Sequence, residues 1–520
     1  MSKLLDDLEH FEALLLAIPD ARHRLVPLFE YLVASEAKVV ATLKAAKEGR
    51  VSPLSAANAA AQTTGTAPYE LHTPTATATT PTSPRLQATS VSDTTLADSE
   101  VHLEFGMALY WLHHPTLEHA GLLQTNRTHA LVLRALQHLA PPSRMDYDLA
   151  AELGGNPYNI GYVAADGTLF TLGKYAMLDP HWILPIINYA INLLDPASLY
   201  APFPTTPYTA TIDANIPAIR IAMLGDWGTG VYDANYAGKG PAAAVMQAIK
   251  GLQPDYVVHL GDVYYSGTAN RHPEHEEQDN FLNMWDTGTA AQTSFALNSN
   301  HEKYGAEKGL IGIALNNGTP FSHQRGTTYF GLQYGKWVIL GLDSAYFDPS
   351  TLYLQGALGD TGNTQQQAFI QSTFGNLAGR KVLTMTHHSP MSFDGNSITP
   401  NSKAGTTLWD GMHSTLGGRA PDVWYWGHIH LGAAYNPNSA IGKLGTLGRC
   451  VGHSAIPFGR ASGMNTGNVD YYAHTELAPG SKQMRNGFAI LTLRPDGSMS
   501  EVFYEVSAGG QCTPYPIPQY

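Results

Sequence analysis

An α/β layered domain preceded by a helical region is the fold class the sequence predicts, and three observations carry it. The first is length: 520 residues exceed the roughly 250–300 at which a single hydrophobic core stops growing. The second is a change of character after Pro217, where short β-rich runs begin and each ends in Asp, Asn or His (AIRIAMLGDWG, DYVVHLGDVYY, KWVILGLDSAYF, KVLTMTHHSP and DVWYWGHIH). The third is the helical stretches between them, such as GPAAAVMQAIKGL and NTQQQAFIQSTFGNLAG. That alternation belongs to a layered α/β domain with its site on the loops after the strands.

The elements follow in chain order. Leu5, Leu8, Leu15, Leu25, Leu28, Phe29, Leu32 and Val33 recur at helical spacing around Pro19-Asp20, so residues 1–50 read as a helical hairpin with one apolar face. Two helices cannot bury that face alone; it docks on the rest of the chain or on a second copy, leaving a homo-oligomer through these helices open. Residues 51–100 are a Thr/Ala/Pro/Ser tract with a single aromatic, Tyr69. Such a tract buries too little apolar area to offset its ordering entropy and reads as a linker. Residues 101–210 return to helical patterns, an accessory region interrupted by YVAADGTLFTLG, which predicts a short hairpin around Asp166-Gly167. Residues 211–520 hold the layered domain.

Composition excludes several classes of function. Charged residues make up 14% of the chain, against roughly 25% in ordinary soluble domains. With 30 basic and 43 acidic residues the net charge is −13, which argues against nucleic acid or another polyanion as partner. A small phosphorylated substrate stays compatible, because a metal supplies positive charge locally. Two cysteines, Cys450 and Cys512, rule out a disulfide scaffold or a Cys-rich metal site and leave room for one bridge. The acidic start lacks the basic-then-apolar order of a signal peptide. The longest apolar run, Trp182–Leu194, is short and contains Pro185, so a soluble, cytosolic protein without a membrane partner is expected.

The strand-end residues are Asp226 (GDWG), Asp262 with Tyr265 (GDVYY), Asn300 and His301 (SNHE), His387 and His388 (THHSP), and His428 and His430 (GHIH). Successive clusters are separated by 36, 38, 87 and 41 residues, which suits strand–loop–helix units whose tips converge on one rim. Nitrogen and oxygen donors without thiols suit hard to borderline metals. Two cations about 3.5–4 Å apart, bridged by one Asp, suit phosphoester hydrolysis. Taken alone, Asp226 is an ordinary turn residue and His428-x-His430 a surface pair on one strand face. Five clusters in order outweigh those readings.

Other polar groups read as bland. His113, His114 and His119 miss the i, i+4 spacing of two ligands on a helix face and sit around Pro115, so they read as exposed residues at a helix start. HPEHEEQD (His272–Asp279) reads as a solvated acidic loop, with a guard at the pocket entrance as the alternative. His453 either lines the pocket or caps a turn. There is no GxxxxGK[ST] loop for a nucleotide.

The five clusters resemble the metallophosphoesterase (calcineurin-like phosphoesterase) superfamily, and within it the purple acid phosphatase branch, which carries GDxG, GDxxY, GNH(E/D), VxxH and GHxH. The resemblance covers roughly residues 216–505 and implies a four-layer αββα sandwich. It implies that Asp226, Tyr265 and His430 bind the first metal, Fe(III), and that Asp262 bridges. Asn300, His387 and His428 would bind the second, Zn, Mn or Fe(II). His301, with His388 beside it, would assist the leaving group. His387 and His388 compete for one ligand position, with the reading favouring His387. Of the two tyrosines, Tyr265 fits the GDxxY spacing and Tyr264 is left to the core, with the reverse order also open. Most of the superfamily has Asp-x-His in the first cluster, whereas Gly228 stands here in place of the His. Ser299 stands where the family has Gly, so the turn presenting Asn300 is expected to differ. The implied activity is hydrolysis of phosphate monoesters by metal-activated water. A phosphodiesterase or nucleotide hydrolase with the same core, and a non-catalytic interaction protein, are the alternatives.

Overall fold

The runs after Pro217 become two stacked sheets in the computed structural model. It describes residues 202–520, apart from breaks at 233–234, 237–239, 270–274, 289–292, 361–363 and 400–406. It also describes 156–159, 161–171, 173–176 and positions 179, 182, 185, 188, 189 and 192. The helical hairpin expected over 1–50, the linker over 51–100, much of the accessory region over 101–210, and His113, His114 and His119 lie outside the described residues.

In chain order the strands are β1 (Gly161–Val163), β2 (Leu169–Thr171), β3 (Tyr208–Ile212), β4 (Ile219–Leu224), β5 (Tyr256–His259), β6 (Ser294–Ala296), β7 (Phe330–Tyr334) and β8 (Trp337–Gly341). They continue with β9 (Lys381–Met385), β10 (Val423–Trp426), β11 (Gly432–Tyr435), β12 (Leu447–Val451), β13 (Val469–Tyr472), β14 (Gly487–Leu493), β15 (Met499–Val506) and β16 (Cys512–Ile517). The helices are α1 (Gly240–Leu252), α2 (Asn300–Tyr304), α3 (Gln365–Phe374) and α4 (Leu408–Thr415). β1 and β2 form the antiparallel hairpin expected around Asp166-Gly167. One sheet has the order β13-β11-β12-β10-β9-β8-β7-β3 and the other β16-β15-β14-β4-β5-β6. The boundary expected at residue 211 falls inside β3, which pairs with β7 at the edge of the larger sheet.

Side chains alternate across each strand, and that alternation builds the layers. Ile219, Ile221 and Met223 of β4, Val258 of β5 and Phe295 of β6 face inward. They meet Leu332, Ile339, Leu383, Met385 and Tyr425 of the larger sheet in one buried cluster. On the outer face of the smaller sheet, Ala222, Leu224 and Val257 pack with Ala242, Val245 and Ile249 of α1. Val338, Leu340, Trp424 and Trp426 cover the far side of the larger sheet with Phe369 and Ile370 of α3 and Met412 of α4. The order is helix, sheet, sheet, helix, the four-layer αββα sandwich.

β4, β5 and β6 run parallel to one another, as do β8, β9 and β10. Their carboxyl ends therefore open on one rim, and every strand-end cluster lies there. Neither Cys450 nor Cys512 is in a disulfide, so the bridge left open does not form. Among the described residues no helix is long and apolar enough to cross a membrane.

One ion pair crosses the inter-sheet core. The Arg449 side chain on β12 donates to Glu501 on β15, from Nε at 3.0 Å and Nη2 at 2.6 Å, and from Nη1 to the Tyr435 carbonyl at 2.8 Å. The Tyr425 hydroxyl donates to Glu501 at 2.6 Å. Removing one partner leaves a desolvated charge, so Glu501→Gln or Arg449→Met should lower unfolding stability by about 3–5 kcal/mol. Denaturant titration checks this; a loss below about 1 kcal/mol would show the pair to be dispensable.

Candidate metal centre

The strands deliver their side chains through backbone turns that L-residues rarely adopt. Asp226, Asp262 and His428 have φ of 55°, 76° and 65°. Such left-handed positions cost of order 1–3 kcal/mol each and gather where function demands them. Backbone bonds lock the turns together: Asp226 N–H donates to Gly261 C=O at 3.0 Å, and Gly427 N–H to His387 C=O at 3.0 Å. Gly261, at φ 107°, has no room for a side chain, since a Cβ would lie 2.7 Å from His387 Nδ1. At Gly228 a Cβ would lie 2.7 Å from Val263 Cα, so the backbone after β5 fills the space beside the first cluster.

A phenol sits on the carboxylate pair. The Tyr264 hydroxyl is 3.2 Å from Asp226 Oδ1, 3.0 Å from Asp262 Oδ2 and 3.2 Å from His430 Nε2. That is more acceptors than its single proton serves. His430 Nε2 lies 3.6 Å from Asp226 Oδ1, and Asp226 Oδ2 accepts the His428 backbone N–H at 2.9 Å. Tyr265, the other tyrosine of the GDVYY turn and the one its spacing favours, is placed differently. Its hydroxyl donates to Asp179, and its N–H is held by Glu276 Oε1 at 2.6 Å.

A second group of donors adjoins the first. His387 Nε2 lies 2.9 Å from Asn300 Oδ1 and 3.2 Å from Asp262 Oδ1, while its Nδ1 meets the Leu260 carbonyl at 3.0 Å. That carbonyl fixes the proton on Nδ1 and leaves the Nε2 lone pair turned inward, the arrangement of a ligating histidine. Asp262 Oδ1 is buried without a hydrogen-bond partner. One donor atom each from Asp226, Asp262 and His387 lies within 4.8 Å of the others, and the same holds for His387, His388 and His428.

His388, expected beside the leaving group, has both ring nitrogens engaged. It is fully buried, with Nδ1 2.8 Å from Ser344 Oγ and Nε2 2.8 Å from the Tyr353 carbonyl. His301, by contrast, faces the pair: its Nδ1 meets the Tyr265 carbonyl at 2.6 Å and its Nε2 lies 3.8 Å from Asp262 Oδ2. Ser299, in place of a family Gly, suits its turn. It is extended at φ −139° and its side chain accepts the His301 N–H, capping α2.

Residues 219–432 match the calcineurin-like phosphoesterase family. They carry a calcineurin-like phosphoesterase domain, running from β4 to the start of β11 and enclosing all five clusters. No curated protein matches the chain. Among 27 solved chains that match, one is titled GAP50, the anchor in the inner membrane complex of Plasmodium. It is 13% identical with a TM-score of 0.38, and the match covers 58% of this chain and 90% of that one.

The electrostatics of the calcineurin-like phosphoesterase domain favour a cation at this rim. Burial and the adjoining Asp262 carboxylate push Asp226 well above the ordinary carboxylate range. Burial opposes charge on Asp262 too, but the His301 and His387 imidazoles hold it below that range. Burial lowers His387 to about 3 and His430 to about 4, keeping both rings neutral, the form that ligates metal. Two desolvated carboxylates, one amide oxygen and neutral imidazoles with no thiol fit hard or borderline cations. Chelator-treated protein should therefore gain thermal stability on addition of Mn²⁺ or Zn²⁺, by mass action on the folded state. Asp262→Asn should abolish most of the gain; an unchanged Tm in the parent protein would count against a metal site.

The sequence favoured Tyr265 over Tyr264 and gave no sign of Asp179, Trp182 or Tyr353. Residues 272–279 read as a solvated loop, whereas Glu276 and Glu277 are buried. Glu276 binds the backbone N–H groups of Tyr265, Ser266 and Thr268 at 2.6, 2.9 and 3.2 Å, and that bonding draws the loop inward. The only signal was its nearness in sequence to the GDVYY turn. His453, left between pocket and turn, is buried with neither ring nitrogen bonded.

His259, behind the centre, gives a pH prediction. Burial lowers it to about 3, against roughly 6.5 in an unfolded chain. Between those values the unfolded state binds more protons, so this contribution is complete above about pH 6.5 and is lost as pH falls toward 3. His259→Leu should flatten the acid limb by up to about 1.4 kcal/mol per pH unit, read from denaturation midpoints between pH 7 and 4. An unchanged slope would show the residue does not titrate on unfolding.

Proposed function

We propose that this chain is a dimetal phosphomonoesterase of the purple acid phosphatase type. The observation that carries the reading is the Tyr264 phenol on the carboxylate pair, beside a Gly228 with no room for a histidine. A phenolate is a hard anionic donor that suits Fe(III). Asp226, Tyr264 and His430 would hold this first cation, Asp262 would bridge, and Asn300, His387 and His428 would hold the second, divalent one. Bound there, the cations would hold the phosphate oxygens and lower the pKa of a bound water from 15.7 to about 7.

The chain's own residues do the rest. With Nδ1 tied to the Tyr265 carbonyl, the His301 ring turns Nε2 toward the site, where a proton on that atom faces the leaving oxygen. His388, bonded at both nitrogens, packs at 5.0 Å from His387 and 4.8 Å from His428, ring centre to ring centre, and holds their planes. Asp226, Asp262, Tyr264 and His387 are buried, whereas the His430 side chain is 23% exposed and that of His301 8%.

Metal-loaded protein should hydrolyse p-nitrophenyl phosphate in preference to bis-p-nitrophenyl phosphate, with activity falling more than about 100-fold in Asn300→Ala. A visible charge-transfer band should vanish in Tyr264→Phe and persist in Tyr265→Phe. Preference for the diester would shift the reading to a phosphodiesterase, and a colourless active Zn or Mn enzyme would remove the iron. Metal binding without hydrolysis of either ester would leave an interaction protein.

A further inference from the structure

The segment ahead of the first core strand reaches into the centre at two described positions, Asp179 and Trp182. Asp179 is buried, and its Oδ2 accepts both the Tyr175 N–H at 2.8 Å and the Tyr265 hydroxyl. Tyr265 is thereby held at three points: its hydroxyl by Asp179, its N–H by Glu276, and its carbonyl against His301 Nδ1 at 2.6 Å. Trp182 is also buried and donates its indole N–H to the Ala176 carbonyl at 3.0 Å. Its ring stands edge-on to Tyr264 at 6.0 Å, Tyr265 at 5.2 Å and His301 at 6.0 Å. Tyr175 ties the same segment to the loop after Asp226, through its hydroxyl to the Thr229 carbonyl at 3.1 Å.

These contacts form a chain that ends on the reacting face. A histidine ring has two free torsions, and packing plus one hydrogen bond is what fixes them. Here the hydrogen-bond acceptor is a backbone carbonyl whose residue is anchored by Asp179. We propose that Asp179 is a positioning residue for His301, acting through Tyr265, so that a residue outside the family-matched segment completes the phosphoesterase site. This rests on the phosphoesterase reading above and adds to it.

Leaving groups separate this role from mere support of the fold. p-Nitrophenolate departs without a proton, whereas an alkoxide needs one. With both metals bound, Asp179→Ala and Tyr265→Phe should lower kcat for glycerol phosphate about 10–100-fold, the usual range for residues that orient others in a metal site. Hydrolysis of p-nitrophenyl phosphate should fall far less, with KM within about twofold. Asp179→Asn should restore the parent ratio, because the amide oxygen accepts the same two bonds. A second readout needs no turnover: in metal-free protein at fixed pH, the ¹⁵N spectrum of the His301 ring, assigned with His301→Gln, should show Nδ1 protonated and hydrogen-bonded. That form should be lost in Tyr265→Phe and Asp179→Ala. Should Asp179→Ala fail to fold, Tyr265→Phe, which removes one hydroxyl, decides. Equal losses on both esters, or a His301 spectrum unchanged in folded Tyr265→Phe, would overturn the assignment. If the parent protein hydrolyses neither ester, the phosphoesterase reading falls while the ring spectrum still tests the positioning.

Discussion

Two carboxylates share one dry pocket, and the rest of the rim is arranged around that fact. Asp226 and Asp262 are both essentially inaccessible to water, and two like charges so placed cannot both stay ionised without compensation. The surroundings supply partial answers: the His428 backbone N–H on Asp226, the Tyr264 hydroxyl between the two, and imidazoles on the far side. None of these is a fixed positive charge. Burial also lowers the His387 and His430 imidazoles, so a bound cation is what would balance the pair, with the Asp262 oxygen that has no hydrogen-bond partner among its donors.

The layered fold is what makes such a pocket affordable. Parallel strands from two stacked sheets end side by side, and the inter-sheet core behind them is continuous from Ile219 to Phe503. Strain at three left-handed residues and the desolvation of the polar side chains at the rim are therefore spread over a rigid base. The Arg449–Glu501 pair crosses that base well away from the rim and, through Tyr425 and the Tyr435 carbonyl, ties β10, β11, β12 and β15 into one unit.

Much of this was legible in the sequence because period-two strands and their polar ends are local signals. Ile219–Leu224, Tyr256–His259 and Val423–Trp426 each announce a buried strand, and the residue that follows announces the rim. The choice between Tyr264 and Tyr265 was not legible. Both follow the same Asp, both are aromatic, and what separates them is a buried acceptor, Asp179, distant in sequence. His387 and His388 pose the same problem, divided only by Ser344 and the Tyr353 carbonyl, which occupy the second ring. Glu276 and Glu277 read as solvated because charge density is a local property, whereas their burial comes from bonds to the Tyr265–Thr268 backbone. Spacing identifies which loops meet; it does not say which way a side chain turns once they do.

β3 carries a consequence for how this domain is divided. It pairs with β7 ahead of the family-matched segment, and the aromatic residues before it cover the centre. A chain trimmed to begin at Ile219 would keep every donor atom yet expose the β7 edge, an open template for pairing with other chains. It would also strip Trp182 and Tyr175 from the rings they cover. The smallest unit that folds cleanly is thus larger than the smallest unit that carries the motifs, and the difference lies upstream.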